Sequence, residues 1–210
     1  VPTEASPALG APDHWVAPLA RAVPALVLGV FITFSPDHSA GLGLVAFGVL
    51  AIVWAAVLFA SGLRADRAVR GLVLVQGAVT AIAGIAALVI PDRAVGTLVL
   101  VVSAWAIVAG ALETVNGIRF RRTRPVARDW IATGVLTVLL GFVFLLVPQG
   151  YADPYAIEEK GEVVASGTVT APVLLVGLVG AWAVVVGVQL ALAAISLRLA
   201  RQAAEKEVAA

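Results

Sequence analysis

Two long apolar segments joined by a Pro-Asp turn constrain the fold of this chain more than any other feature. They lie between Gly77 and Arg119, with the turn at Pro91 and Asp92. A shift of 55 residues superposes this stretch on residues 22–64, and a third copy follows. Small residues recur at every seventh position, at Gly77, Gly84, Gly96, Ser103, Gly110 and Gly117. We therefore predict three copies of one helical hairpin, with turns at Pro36, Asp37, Pro91, Asp92 and Pro148.

The composition places these hairpins in a membrane. Hydrophobic residues make up 61% of the chain and charged residues 13%, whereas about a quarter of the residues of a soluble domain are charged. Several apolar runs reach the roughly 20 residues that a helix needs to cross a bilayer. We predict an all-α polytopic membrane bundle of six transmembrane helices, at 16–34, 40–63, 68–90, from the second turn to 120, 129–147 and 172–198.

The repeats also divide the chain. A tail is expected at 1–14 and a membrane domain at 15–200, with hairpins at 15–64, 68–119 and 127–198 and a second tail at 201–210. The N-terminus has no basic segment and no small-residue cleavage site of the kind that marks a signal peptide. The first apolar run is therefore expected to be a retained helix.

The positive charges predict the orientation. Six spans put both termini on one side, and that side carries twelve of the fourteen Lys and Arg residues. Because cytoplasmic loops are enriched in Lys and Arg, both termini are expected in the cytoplasm. Arg21, near the start of the first helix, is expected to reach the headgroups. Twelve Arg against two Lys, with many Ala, Val and Gly residues, suggest a GC-rich bacterial genome, hence a multi-pass protein of the bacterial inner (plasma) membrane.

The same charges suggest partners. The Arg-rich loop at 119–128 is expected to contact anionic lipid headgroups of the bilayer. A homo-oligomer or another membrane protein is also a possible partner, and no nucleic acid is expected.

The third hairpin carries an insertion on the outer face, at 149–171. The interval from Pro148 to Trp182 is 34 residues, whereas the interval from Pro91 to Trp105 is 14. Alternating residues flank Lys160-Gly161, a pair that can turn. A small β-hairpin and an irregular solvated loop are both compatible with this pattern.

The small residues are expected to form the contact faces between helices. Water cannot drive two apolar helices together inside lipid, so association depends on close packing at small side chains. A strict period of seven favours left-handed crossings. The predicted packing positions are Gly29, Gly48, Gly84, Gly110, Gly141, Gly180 and Gly187. In the first turn, Asp37 is expected to cap the second helix.

Glu113 is an acidic residue within a predicted span. An ionisable group inside a membrane is a functional candidate by default. It lies within about 60° of the Gly110 stripe at 100° per residue, and Arg70 falls at the same depth on the adjacent helix. We expect a structural ion pair with Arg70; proton handling, with Gln76 as a polar neighbour, is the alternative.

No pattern for enzymatic chemistry is present. The chain has no Cys and only two His residues, His14 and His38, far apart in sequence. A thiolate site is therefore excluded and a His-based metal site is disfavoured. The sequence lacks a nucleotide-binding loop, a Ser-His-Asp set, an HExxH motif and a pair of catalytic carboxylates. We predict a non-enzymatic protein without cofactor or metal.

The repeated hairpin resembles the bacterial HdeD family of acid-resistance membrane proteins, which consist of short repeats of unknown function. The segment from Trp105 to Arg119, with Gly110 and Glu113, is similar to the middle stretch of that family. The resemblance covers residues 15–200. It implies an inner-membrane protein linked to survival under acid stress, and it provides no catalytic residues.

The leading hypothesis is a protein that stabilises the membrane or a partner under stress. One alternative is a small transporter or channel that uses Glu113 for a proton or a solute. Another is an accessory subunit of a larger membrane complex that docks through the 149–171 insertion.

Overall fold

The computed structural model describes residues 15–124, 126–159 and 162–209. These residues form six α-helices and one two-stranded antiparallel sheet. The helices are α1 (Val16–Phe34), α2 (Ala40–Arg64), α3 (Arg67–Val89), α4 (Val95–Phe120), α5 (Ala127–Leu146) and α6 (Ala171–Ala209). The strands are β1 (Ala152–Glu159) and β2 (Glu162–Thr170). The predicted tail at 1–14 and the predicted turn at Lys160 and Gly161 lie outside the described residues.

All six helices are long and apolar enough to cross a membrane. The shortest, α1, has 19 residues, and at about 1.5 Å per residue it spans about 28 Å, close to the hydrocarbon thickness. The chain is therefore an all-α polytopic membrane bundle, as predicted. The threefold repetition of the hairpin remains a prediction.

The helices form an inner and an outer set. The second arms of the three hairpins, α2, α4 and α6, contact one another at the centre. The first arms, α1, α3 and α5, lie outside them and bury a smaller share of their length. The most extensive interfaces join α2 to α3, α4 to α5 and α6 to α1. Each outer helix therefore packs more extensively on the inner helix of another hairpin than on its own partner.

Tryptophans from all three inner helices fill the centre. Trp54 of α2 and Trp105 of α4 each lie 5.5 Å from Trp182 of α6 between ring centroids. Phe47 packs edge-on against Trp105 at 4.9 Å. These separations lie in the favourable range for tilted and edge-to-face aromatic pairs. The three tryptophans thus form one aromatic cluster across the three hairpins.

The predicted small-residue positions lie where backbones approach closely. The facing pairs are Gly29 with Gly180, Gly48 with Gly84, and Gly110 with Gly134. Each pair bridges one of the three extensive interfaces. The two other predicted positions, Gly141 and Gly187, face Ser103 and Leu26. Close approach of this kind is the usual way in which helices associate in lipid.

The first hairpin turn differs from the prediction in one detail. Ser39, and not Asp37, is the N-cap of α2, because its hydroxyl accepts a hydrogen bond from the backbone N–H of Leu42 at 3.2 Å. The Asp37 carboxylate instead accepts hydrogen bonds from the N–H of Ser39 at 2.8 Å and from its hydroxyl at 3.1 Å. Asp37 lies two residues before the N-cap, and its carboxylate orients Ser39, whose hydroxyl accepts from the helix N–H.

The second turn uses its aspartate similarly. The Asp92 carboxylate accepts a hydrogen bond from the Thr97 hydroxyl at 2.6 Å and another from the N–H of Ala94 at 3.0 Å. These hydrogen bonds lower the pKa of Asp92. The side chain of Arg93 extends back toward α3, and its guanidinium group donates to the carbonyls of Ala87 and Leu88 at the end of that helix. This arginine therefore satisfies carbonyls that have no partner within the helix.

The insertion in the third hairpin folds as a β-hairpin, one of the two conformations compatible with its sequence. Its strands pair from Ala152 with Thr170 to Glu159 with Glu162, with an irregularity after Ile157. The N–H of Ala171 donates to the carbonyl of Tyr151 at 2.9 Å and closes the base of the hairpin on α6.

The helix bounds follow the predictions to within two residues except at the end of α6. This helix continues to Ala209, whereas it was predicted to end at Arg198. The last segment is rich in Ala, Leu, Glu and Gln, which are strong helix formers. Arg201 also pairs with Glu205 one turn later at 2.6 Å. The residues predicted as a tail at 201–210 are therefore helical up to 209.

The glycine contacts lead to a first prediction. A Cβ on Gly110 would lie 2.7 Å from the carbonyl oxygen of Gly134, and that backbone atom cannot move without shifting α5. We expect Gly110→Ala to lower the free energy of unfolding by about 1–3 kcal/mol, as overpacking does elsewhere. Reversible unfolding in mixed micelles measures this change.

Gly177 of α6 offers the matched control. No atom lies within 4 Å of a Cβ placed there, so Gly177→Ala is expected to be neutral or to stabilise the helix by about 0.5–1 kcal/mol. Equal effects of the two substitutions would contradict the assignment of Gly110 to a close helix contact.

Candidate functional site

Glu113 and Arg21 form a buried ion pair between α4 and α1. The two guanidinium Nη atoms donate to the two carboxylate oxygens at 2.6 and 3.0 Å. The side chains are only 6–7% exposed. They are the buried charged residues of the described chain. Bidentate geometry makes this the strongest type of side-chain ion pair.

This arrangement corrects two expectations. Arg21 does not extend to the headgroups but turns into the bundle. Arg70 does not pair with Glu113; it lies exposed and donates to the carbonyls of Leu63 and Ala65 at 3.0–3.2 Å. Arg70 belongs to the first turn of α3, beside the end of α2, where free carbonyls and the negative end of the helix dipole attract a cation. Counting from the Pro91–Asp92 turn assigned Arg70 the depth of Glu113, but the α3 residue that contacts Glu113 is Gln76, six residues further along the helix.

Gln76 completes the environment of the acid. Its amide Nε2 donates to the second oxygen of Glu113 at 2.9 Å, so the carboxylate accepts three hydrogen bonds from two helices. A charge taken out of water is tolerated when it is paired and fully hydrogen-bonded. Gln76, one of the predicted candidates, therefore contacts Glu113 directly.

Trp54 holds Arg21 in place from a third direction. The guanidinium carbon lies 4.4 Å from the centroid of the Trp54 ring, in a cation–π contact. The indole N–H donates to the backbone carbonyl of Arg21 at 2.9 Å. The site therefore joins α1, α2, α3 and α4 and connects directly to the central aromatic cluster.

The hairpin repeat contains the signal that would have located Arg21. Arg21 precedes Gln76 by 55 residues, the interval that separates the first two hairpins, and Thr133 follows Gln76 by 57, the interval from Pro91 to Pro148. All three side chains are buried. Corresponding positions of the three first arms thus carry polar side chains, and two of them, Arg21 and Gln76, contact Glu113.

A second correspondence extends this pattern. Thr80 donates to the carbonyl of Gln76 and accepts from the Trp105 indole at 3.2 Å. Thr137 donates to the carbonyl of Thr133 and accepts from Trp182 at 3.3 Å. The second and third hairpins therefore connect their polar position to the aromatic cluster through the same hydrogen bonds.

Three buried polar atoms have no hydrogen-bond partner within the described part of the chain. They are Arg21 Nε, Asn116 Oδ1 and Thr133 Oγ1. Asn116 lies one helical turn beyond Glu113 on α4, and its side chain is also buried. Residues three apart on a helix are neighbours, so Asn116 adds polarity on the side of Glu113 that leads to the end of α4.

Outside this site, the described residues show no group of three or more His, Cys, Asp or Glu side chains that could hold a metal ion. A cavity of about 340 Å³ lies between α1 and α2. Its walls are apolar and include Val27, Phe31, Val45 and Val49. It belongs to the outer surface of the bundle and not to the Glu113 site.

The ion pair leads to a second prediction. Arg21→Ala leaves Glu113 buried without its cation, which typically costs about 3–5 kcal/mol. The double variant Arg21→Leu/Glu113→Leu removes both charges, and we expect it to unfold with a free energy much closer to that of the wild type. Reversible unfolding in micelles, with Arg21→Leu and Glu113→Leu as the two single variants, gives the coupling energy of the pair.

Arg70→Ala serves as the control because Arg70 makes only exposed hydrogen bonds to the backbone. Its effect is expected to stay below about 1 kcal/mol. A larger effect for Arg70→Ala than for Arg21→Ala would restore Arg70 as the partner of Glu113.

Comparison with known proteins finds a match to a protein family for part of the chain. Residues 75–146 match a family model described as a short repeat of unknown function, DUF308. The match covers about a third of the chain, from the third turn of α3 to the end of α5, and includes Gln76 and Glu113. No curated protein and no solved structure matches the chain. The middle of this membrane bundle is therefore similar to a DUF308 repeat.

Proposed function

We propose that this chain is a non-enzymatic inner-membrane protein of the HdeD type, which protects a bacterium under acid stress by stabilising the membrane or a membrane partner. The proposal depends on one observation above the others: the centre of the bundle is filled, and its buried acid is neutralised. The DUF308 match in the middle hairpin agrees with the family resemblance of the Trp105 to Arg119 segment.

The packed centre supports a stabilising role over conduction. Trp54, Trp105 and Trp182 contact one another where the three inner helices meet, and each indole N–H has a hydrogen-bond acceptor. Aromatic side chains of this size bury about 150–250 Å² each. A solute that crossed the bundle along its centre would have to displace this cluster.

The ion pair supports the same role. A carboxylate that carries protons across a membrane needs to exchange them with water, whereas Glu113 is buried and accepts three hydrogen bonds from Arg21 and Gln76. The pair connects α1 to α4, which belong to different hairpins. It is well suited to fix how the hairpins assemble, a use of buried polar groups that is attested in other proteins.

The Arg-rich end of the bundle is suited to anionic lipid. Arg119, Arg121, Arg122 and Arg128 are exposed at the end where α4 leads into α5. Arg124 instead pairs with Asp66, and this hydrogen bond lowers the pKa of Asp66. Basic clusters next to membrane helices attract anionic headgroups by about 1 kcal/mol per residue. We propose that both termini lie in the cytoplasm, which the positive-inside bias supports.

A transporter or channel is the second candidate, and one observation favours it. Arg21 Nε and Asn116 Oδ1 are buried close to Glu113 without a partner in the described chain. Polar atoms of this kind commonly bind ordered water, and hydration of Glu113 is what proton handling would require. An accessory subunit of a larger membrane complex is a further candidate. In that case the β-hairpin formed by β1 and β2 is the docking element.

Survival after acid challenge tests the proposal. A deletion strain is complemented with the wild type, with Glu113→Gln, or with Arg21→Leu/Glu113→Leu, at matched membrane levels. We expect the wild type to restore survival, and the double variant to restore it equally, because packing is kept while the proton site is removed. Gly177→Ala serves as a neutral control.

The outcomes separate the candidates. If the wild type rescues and both Glu113 variants fail at equal abundance, Glu113 handles protons and the stabilising role is wrong. If deletion does not change survival, the acid-stress role itself is wrong.

A further inference from the structure

The two-stranded ribbon formed by β1 and β2 stands apart from the helical bundle. Among the described residues the sheet has only these two strands, so each strand has an outer edge with unpaired backbone groups. Its base is tied to α6 by the hydrogen bond from Ala171 to Tyr151. An isolated two-stranded hairpin is marginally stable in water, and open edges are templates for pairing with another chain.

The ribbon exposes apolar side chains that no part of the described chain covers. Tyr155, Ile157, Val163 and Val164 are 47–58% exposed. Tyr155 and Ile157 lie on one face of the ribbon. Their cross-strand partners on β2 are Gly167 and Ala165. The Tyr155 ring lies over Gly167, where an added Cβ would come 2.8 Å from the phenol oxygen. The apolar side chains of this face are thus left exposed by the described part of the chain.

The charge of the ribbon discriminates between possible occupants. Asp153, Glu158 and Glu162 are exposed, and the segment 152–170 has four acidic residues against Lys160. A second copy would bring the same negative charges together, and an anionic bilayer surface would also be repelled. A basic partner is the occupant that this charge attracts.

We propose that the ribbon binds an extended, basic protein segment, which adds as a third strand along the outer edge of β2. Pro154 lies in β1 and has no N–H to donate, as in strands whose edges are protected. β2 contains no proline, so its backbone donors are complete. Main-chain hydrogen bonds supply affinity in this mode, and alternate side chains supply specificity. The proposal rests on the accessory-subunit hypothesis and not on the acid-stress role.

A model peptide tests this surface. The full chain is placed in nanodiscs of zwitterionic lipid, and the probe is a peptide of alternating Lys and Val with ¹³C-labelled carbonyls. We expect saturable binding that weakens with salt, and a β-type amide I band from the labelled carbonyls. A Glu-Val peptide and a Lys-Val peptide with alternate N-methylated amides are the controls, and both are expected to bind at least about tenfold more weakly.

Variants locate the binding. Glu158→Lys/Glu162→Lys is expected to weaken binding of the Lys-Val peptide by about tenfold and to strengthen binding of the Glu-Val peptide. The matched charge control, Glu205→Lys/Glu207→Lys at the far end of α6, is expected to leave binding unchanged. Replacement of residues 152–170 by a short turn, as in the other two hairpins, is expected to abolish it.

Two results would overturn the proposal. One is binding of the N-methylated peptide as tight as that of its parent, because strand addition requires free amides. The other is efficient disulfide formation between copies of Val164→Cys, which would identify a second copy of this chain as the occupant. Both results are independent of acid survival, so failure here does not bear on the stress role.

Discussion

Close contact between helix backbones is the constraint on which the rest of this bundle depends. Lipid supplies no hydrophobic force between apolar helices, so their association needs direct van der Waals contact. The pairs Gly48 with Gly84 and Gly110 with Gly134 provide it between hairpins. Because these contacts bind outer helices to the inner helices of other hairpins, the three inner helices can meet at the centre. The aromatic cluster and the buried ion pair both occupy the space that this arrangement creates.

The ion pair depends on that close packing in turn. Bidentate contact between Arg21 and Glu113 requires α1 and α4 to be held at a fixed separation, and Trp54 and Gln76 fix the two side chains from neighbouring helices. A less rigid frame would admit water and weaken the pair. The polar site and the apolar packing are therefore one structural unit, and it is consistent with a protein whose work is to hold an arrangement in place.

Periodicity and composition were sufficient to predict six spans and their approximate bounds. They were not sufficient to predict the partner of Glu113. Counting residues from the turn led to Arg70, whereas Gln76 of α3 contacts Glu113. The direction of a side chain also depends on which helices are neighbours, and α1 packs on α6 and not chiefly on α2. Arg21 therefore points inward although it lies near a helix end. Likewise the alternation around Lys160 allowed a β-hairpin but could not exclude a loop.

The extensive contact between α1 and α6 has a consequence for synthesis of the protein. Among the described helices, α1 precedes the others in the chain, and its most extensive partner is α6, the last of them. Arg21 likewise meets its counter-charge only after α4 has been inserted. During translation α1 is thus in the bilayer with an arginine that has no counter-charge until α2, α3 and α4 have been made. Until Glu113 is available, the charge of Arg21 has to be solvated elsewhere. The insertion machinery can do this, or the lipid headgroups that an arginine reaches from a shallow position.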